Sequence, residues 1–133
     1  MGMQAENTYV LTIPLAAVVP IIEEWGARGW NAPYDKTPEG LVLLLTDEFG
    51  NDDVSELPDF QIKFDQIHVE GYTYGRLGDA ATMAALLASH GATGIVYGDC
   101  DGMLFLTELV DGEVKEHGGI VVFPSYTGDL YQV

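Results

Sequence analysis

Basic residues, cysteine and long apolar runs are all scarce in this chain of 133 residues. Only 5 Lys and Arg stand against 21 Asp and Glu, so the formal net charge is −16 and the pI is about 4.1. Affinity for phosphate groups comes mainly from Lys and Arg side chains. We therefore expect no direct binding to DNA or RNA, and none to an anionic membrane.

The single cysteine, Cys100, excludes an internal disulfide and a cysteine-based metal cluster. The apolar run from Val10 to Ile22 is interrupted by Pro14 and Pro20, and it is shorter than the roughly 20 residues of a membrane-spanning helix. No basic leader precedes this run, as a secretory signal would require. These features predict a cytoplasmic protein, in a cell or in a phage-infected host.

The hydrophobic content of 47% is too high for a disordered acidic tail. Together with the length, it predicts one compact acidic domain over residues 1–133. The residues from Thr8 to Ile13 are typical of a strand. The apolar stripe Val18, Ile21, Ile22 and Trp25 has the spacing of an amphipathic helix.

The middle of the chain predicts two further strands. The continuous apolar run from Leu41 to Thr46 is typical of a strand that is covered on both faces. After an acidic loop, apolar and polar residues alternate from Phe60 onward, and the alternation changes phase near Asp65-Gln66. Because one extra residue reverses the faces of a strand, we expect a β-bulge or a tight bend at that point.

Glycines and the distribution of charged residues predict a helix and a hairpin in the second half of the chain. An uncharged helix is expected from Ala80 to His90, closed by Gly91. Asp111-Gly112 predicts a two-residue hairpin turn, which places Glu108 opposite Lys115.

The order of these elements predicts an α+β fold, with a mainly antiparallel sheet and two helices on one side. A ferredoxin-like βαββαβ core with an added C-terminal hairpin is the topology that fits this order first.

The residues with potential chemistry form no convincing catalytic or metal-binding set. Asp99, Asp101 and Glu108 match three positions of a calcium loop, but Tyr97 stands where the first ligand belongs, so a small calcium-binding domain is only an alternative. The histidines His68, His90 and His117 lack the spacing of zinc ligands, and we expect His68 and His117 on the surface. We therefore predict no enzyme activity, no metal and no cofactor.

The acidic excess is the remaining signal for function. Dense carboxylates can imitate nucleic-acid phosphates. They predict a DNA-mimic-like inhibitor, such as an anti-defence factor of a phage or mobile element, that docks on a basic protein that handles nucleic acids. The acidic residues expected to bind this partner are Asp47, Glu48, Asp52, Asp53, Glu56, Asp59, Asp99, Asp101, Asp111, Glu113 and Glu116.

Three other interpretations of the composition stay open at this point. The acids can form a solvated face that serves solubility or a high-salt cytoplasm. They can complement a basic toxin, as in an immunity protein. The uncharged helix from Ala80 to His90 can instead mediate assembly, including a homodimer, in a structural protein.

Overall fold

The structure, a computed structural model, describes residues 4–28, 34–49, 59–76, 80–100 and 103–120. Within these residues the chain forms six β-strands, three α-helices and a short 3-10 helix. No helix in this part of the chain is long and apolar enough to cross a membrane. In chain order the elements are β1 (Gln4–Pro14), the 3-10 helix (Leu15–Ala17), α1 (Val18–Ala27), α2 (Pro38–Glu48), β2 (Phe60–Lys63), β3 (Gln66–Arg76), α3 (Ala80–Ser89), β4 (Thr93–Cys100), β5 (Met103–Val110) and β6 (Glu113–Ile120).

The strands form one sheet in the order β2-β3-β1-β4-β5-β6, and all neighbouring strands are antiparallel. The predicted α+β class with an antiparallel sheet is therefore confirmed. The described residues contain three α-helices where two were predicted, because α2 was assigned as a strand. The ferredoxin-like topology itself stays a prediction.

The hydrophobic core lies on one face of the sheet. Alternation along β1 sends Tyr9, Leu11 and Ile13 to this face, where each is at most 2% exposed. Their neighbours in register on β3 include Val69 and Ile67, which are also buried. The same core cluster contains the apolar side chains of the helices, so the helices cover this face.

Helix α1 confirms the predicted apolar stripe. Val18, Ile21, Ile22 and Trp25 are all buried, and Pro20 lies in the first turn, where its missing N–H breaks no helical hydrogen bond.

Helix α3 ends as its glycine predicts. Gly91 has φ +88°, and its N–H donates to the Ala88 carbonyl over 3.0 Å. The Ala92 N–H donates to the Leu87 carbonyl over 3.0 Å, which completes the hydrogen-bond pair of a Schellman motif.

The strand predicted from Leu41 to Thr46 is wrong, because these residues lie inside α2. Pro38 occupies the first turn of this helix, and the side chain of Thr37 caps it by accepting a 3.1 Å hydrogen bond from the Gly40 N–H. Almost all of the run is buried, so it lacks the period of an amphipathic helix. A helix buried on most sides and a doubly covered strand have the same continuous apolar pattern.

Of the β-bulge or tight bend predicted at Asp65-Gln66, the structure has the bend, displaced by one residue to Phe64-Asp65. Phe64 and Asp65 form a two-residue turn that joins β2 to β3, and Lys63 pairs with Gln66 across it. The apparent change of phase is the reversal of the chain in a hairpin.

The second hairpin follows its predicted register throughout. Asp111-Gly112 is the turn, with φ +54° and +79°. Glu108 pairs with Lys115 and Leu109 with Val114, as the two-residue turn requires.

Candidate functional site

The described elements leave the sheet face opposite the helices uncovered. Side chains that alternate with the buried positions point to this face, which we call the open face. Strand register assigns to it Thr8, Val10, Thr12, Gln61, His68, Glu70, Tyr72, Ile95, Tyr97, Leu106, Glu108, Glu113, Lys115 and His117.

The centre of the open face is apolar. Val10, Ile95 and Tyr72 are 43%, 37% and 60% exposed, and Val10 pairs with Ile95 across β1 and β4. Tyr97 and Leu106, which are half-buried, form the next cross-strand pair along β4 and β5. Neighbouring apolar side chains of this kind mark a contact surface more often than isolated ones do.

Carboxylates border this apolar centre on both sides. One cross-strand row reads Glu70, Val10, Ile95, Glu108 and Lys115, from β3 to β6. Three strand spacings separate the two glutamates, so they lie roughly 14 Å apart. The row therefore places an acid, two apolar side chains and another acid on one line across the open face.

The histidines of the open face are exposed, as predicted, and each has a polar neighbour. The Nδ1 atom of His68 lies 3.2 Å from Oγ1 of Thr12, on the adjacent strand. The Nε2 atom of His117 lies 3.6 Å from a carboxylate oxygen of Glu108. These contacts fix side chains on the surface and bring together no buried base and nucleophile.

A cavity of about 730 Å³ lies around β3 and is lined by residues of both faces of the sheet. His68, Glu70 and Tyr72 of β3 belong to the open face, whereas Thr46 belongs to α2 in the helical layer. The cavity is therefore not a feature of the open face alone.

The acids predicted to bind a partner fall into two groups. Asp47 and Glu48 end α2, which packs against β3, and Asp59 lines the cavity beside Thr46. Asp47 already has a partner within the chain, because the hydroxyl of Tyr34 donates a 2.5 Å hydrogen bond to its carboxylate. Burial raises the pKa of Tyr34, and the hydrogen bond to Asp47 raises it further.

The second group lies toward the other edge of the sheet. Asp111, Glu113 and Glu116 are exposed on the β5–β6 hairpin, and Asp99 belongs to β4. The hairpin acids thus lie three or four strands away from β3, whereas Asp99 on β4 is two strands away from it. Partner binding by these acids stays a prediction, and the remaining members of the predicted set lie outside the described residues: Asp52, Asp53, Glu56 and Asp101.

The helix predicted to mediate assembly is half-buried. Met83, Leu86 and Leu87 of α3 belong to the core, whereas Thr82 and Ala85 are exposed. Its outer face carries small side chains, and assembly through it stays a prediction. Among the described residues, no three His, Cys, Asp or Glu side chains converge as a metal site requires.

The sequence pattern missed the open face because of its β-branched residues. Thr8, Val10 and Thr12 alternate with buried Tyr9 and Leu11, so both faces of β1 look suited to burial. This alternation indicates an apolar outer face, but it does not show whether a helix covers that face.

Comparison with known proteins adds no relative. Neither protein-family models, nor curated proteins, nor solved structures include a significant match to this chain.

Proposed function

We propose that this chain is a non-enzymatic acidic binding protein that docks its open face on a basic partner protein. The observation that carries the proposal is the cross-strand row in which Glu70 and Glu108 enclose Val10 and Ile95. Apolar side chains at the centre with polar groups at the rim are typical of protein–protein interfaces.

The two kinds of side chain serve different steps of association. Burial of a side chain such as Val10 or Ile95 gives about 1.5–3 kcal/mol when the whole side chain leaves water, and these two are already partly covered. A net charge of −16 attracts a basic surface from a distance and accelerates encounter. The apolar centre therefore supplies affinity, and the acids supply speed and orientation.

Proteins that handle nucleic acids are the partner class that this charge favours, because their phosphate-binding surfaces are rich in Lys and Arg. When the open face occupies such a surface, nucleic acid can no longer bind there, so we propose that this chain inhibits its partner. An anti-defence factor of a phage or mobile element is one setting in which such an inhibitor acts. The acids of the β5–β6 hairpin, Asp111 and Glu113, extend the same charge toward the sheet edge.

The first test removes the apolar centre without changing the charge. Val10→Thr and Ile95→Thr together keep the β-branched shape at both strand positions. Val19→Thr is the matched control, because Val19 is 39% exposed on α1, in the helical layer. The wild type, immobilised, is expected to capture a basic protein from a lysate of its source organism at low salt and to release it at high salt.

The double variant is expected to bind the protein so identified at least about tenfold more weakly in a titration. The control should bind within about twofold of the wild type. Equal affinity of all three proteins would show that the open face is not the docking surface.

The second test separates local charge from net charge. Glu70→Gln with Glu108→Gln removes the two acids of the row, whereas Glu23→Gln with Glu39→Gln removes two exposed acids of the helical layer. Each pair changes the net charge from −16 to −14. The open-face pair is expected to lose more affinity, and equal losses would show that only the overall charge attracts the partner.

A further inference from the structure

The β2–β3 turn contains an unusual residue for its backbone conformation. Phe64 and Asp65 have φ +52° and +60°, so both central residues of this two-residue turn are left-handed. Turns of this type favour Asn-Gly or Asp-Gly, because a bulky side chain is strained at positive φ.

The β5–β6 hairpin shows that the geometry does not require a phenylalanine. Asp111 and Gly112 form the same kind of turn with the favoured residues. The position of Asp111 corresponds to that of Phe64, and it has nearly the same φ, +54° against +52°. A turn of this geometry therefore forms without an aromatic side chain, and the ring of Phe64 is not needed to form the turn.

The ring of Phe64 does not contribute to the core. It is 96% exposed, the highest value among the exposed large apolar residues, and Ile62 on the same hairpin is 48% exposed. The turn itself is held in place, since the N–H of Leu15 donates a 2.8 Å hydrogen bond to the Asp65 carbonyl. An apolar ring is therefore presented to solvent on an anchored, strained turn, and strain of this kind is concentrated at functional sites.

We propose that Phe64 is an anchor residue that enters an apolar pocket on the basic partner protein, an inference that rests on the proposed function. The two neighbours of Phe64, Lys63 and Asp65, are exposed and opposite in charge, so the choice of a basic partner rests on the net charge of −16. A second copy of the chain and an anionic membrane are both disfavoured by this net charge. A ring held on an ordered turn loses little conformational freedom when it binds.

Phe64→Asn tests this inference, with Val19→Asn as the control, because Val19 is an exposed apolar residue of the helical layer. Asparagine tolerates positive φ, and the ring packs against no core. The midpoint of urea unfolding of Phe64→Asn is therefore expected at or above that of the wild type. A clearly lower midpoint would show that Phe64 serves folding, and would overturn the inference without involving any partner.

The binding arm uses the partner captured by the wild type, titrated with each purified variant. Phe64→Asn is expected to weaken binding at least about tenfold, as the loss of an aromatic hot spot does, and Val19→Asn should stay within about twofold. With p-benzoylphenylalanine in place of Phe64, irradiation should give a covalent adduct with this partner, whereas the same group in place of Val19 should give none.

The outcomes separate the two proposals. If a basic partner is captured and Phe64→Asn binds it as tightly as Val19→Asn does, the anchor is overturned and the proposed function stands. If the wild type captures no basic protein, the proposed function fails and the anchor inference fails with it.

Discussion

Substitution of Gly71 by alanine should destabilise the fold through a single side chain, Tyr9. Gly71 in β3 pairs with Tyr9 in β1, and the tyrosine ring lies over the glycine. A Cβ atom at position 71 would overlap the Cζ and Oη atoms of Tyr9 and lie 2.7 Å from its Cε1. The ring is fully buried, and its centroid lies 5.1 Å from that of Phe49, so a shift of the ring disturbs this contact.

Two effects set the size of the loss. Overpacking of a well-filled core costs about 1–3 kcal/mol. Displacement of the ring also breaks the 3.1 Å hydrogen bond between Tyr9 Oη and Thr46 Oγ1, and a buried hydroxyl without a partner costs about 1–3 kcal/mol. Because Thr46 keeps its 2.8 Å bond to the Val42 carbonyl, only the tyrosine hydroxyl is left unpaired. We expect a total loss of about 2–6 kcal/mol in the free energy of unfolding.

Urea unfolding followed by far-ultraviolet circular dichroism measures this loss. Gly26→Ala is the control, since Gly26 lies in α1 and a Cβ there meets no atom within 4 Å. This variant should gain about 0.5–1 kcal/mol, because alanine is the better helix former. Tyr9→Leu should partly rescue Gly71→Ala, so that the double variant loses less than the sum of the single losses. If Gly71→Ala is as stable as the wild type, the packing of Tyr9 over Gly71 is not as tight as described.

Two further predictions concern polar contacts between elements. Burial and the hydrogen bond to Asp47 raise the pKa of Tyr34 in the folded state, whereas its hydroxyl ionises near pH 10 in the unfolded chain. Above about pH 10 the folded state therefore binds more protons than the unfolded state, and stability falls as the pH rises. Tyr34→Phe should make this alkaline loss less steep in urea unfolding, and unchanged steepness would exclude a contribution of Tyr34. The carboxylate of Glu24 lies 2.6 Å from Nε2 of His90, and 48% and 26% of these two side chains are exposed. Glu24→Gln should therefore lower the free energy of unfolding by less than about 1 kcal/mol, and the loss should disappear at high salt. A loss several times larger, or one that salt does not change, would show that this contact is more than a surface ion pair.

Turn chemistry and helical period were the features that sequence predicted best. Asp111-Gly112 is a local signal that determines both the turn and the register, so Glu108 opposite Lys115 followed directly. The stripe that includes Ile21 and Trp25 has a period that no strand shares. In both cases the information lies within a few neighbouring residues.

The errors occurred where the deciding information was weak or lay outside the segment. The run from Leu41 to Thr46 has no period, and only the cap formed by Thr37 and Pro38 identifies its helix. The β2–β3 turn contains neither glycine nor asparagine, so its sequence resembles a continuing strand. Strong tertiary contacts, such as the hydrogen bond from Leu15 to Asp65, stabilise a turn that local preference does not predict.

Net charge predicted attraction to a basic partner, but it carries no information about where the acids lie. Glu23 and Glu39 in the helical layer count as much toward −16 as Glu70 and Glu108 do, yet only the latter pair borders the apolar centre of the open face. Long-range attraction depends on all four carboxylates, so removal of either pair should slow association to a similar degree. Contacts in the bound state depend on position, so only Glu70→Gln with Glu108→Gln should also shorten the lifetime of the complex. A measurement of both rates therefore distinguishes a docking surface that the fold has built from a charge that the whole chain carries.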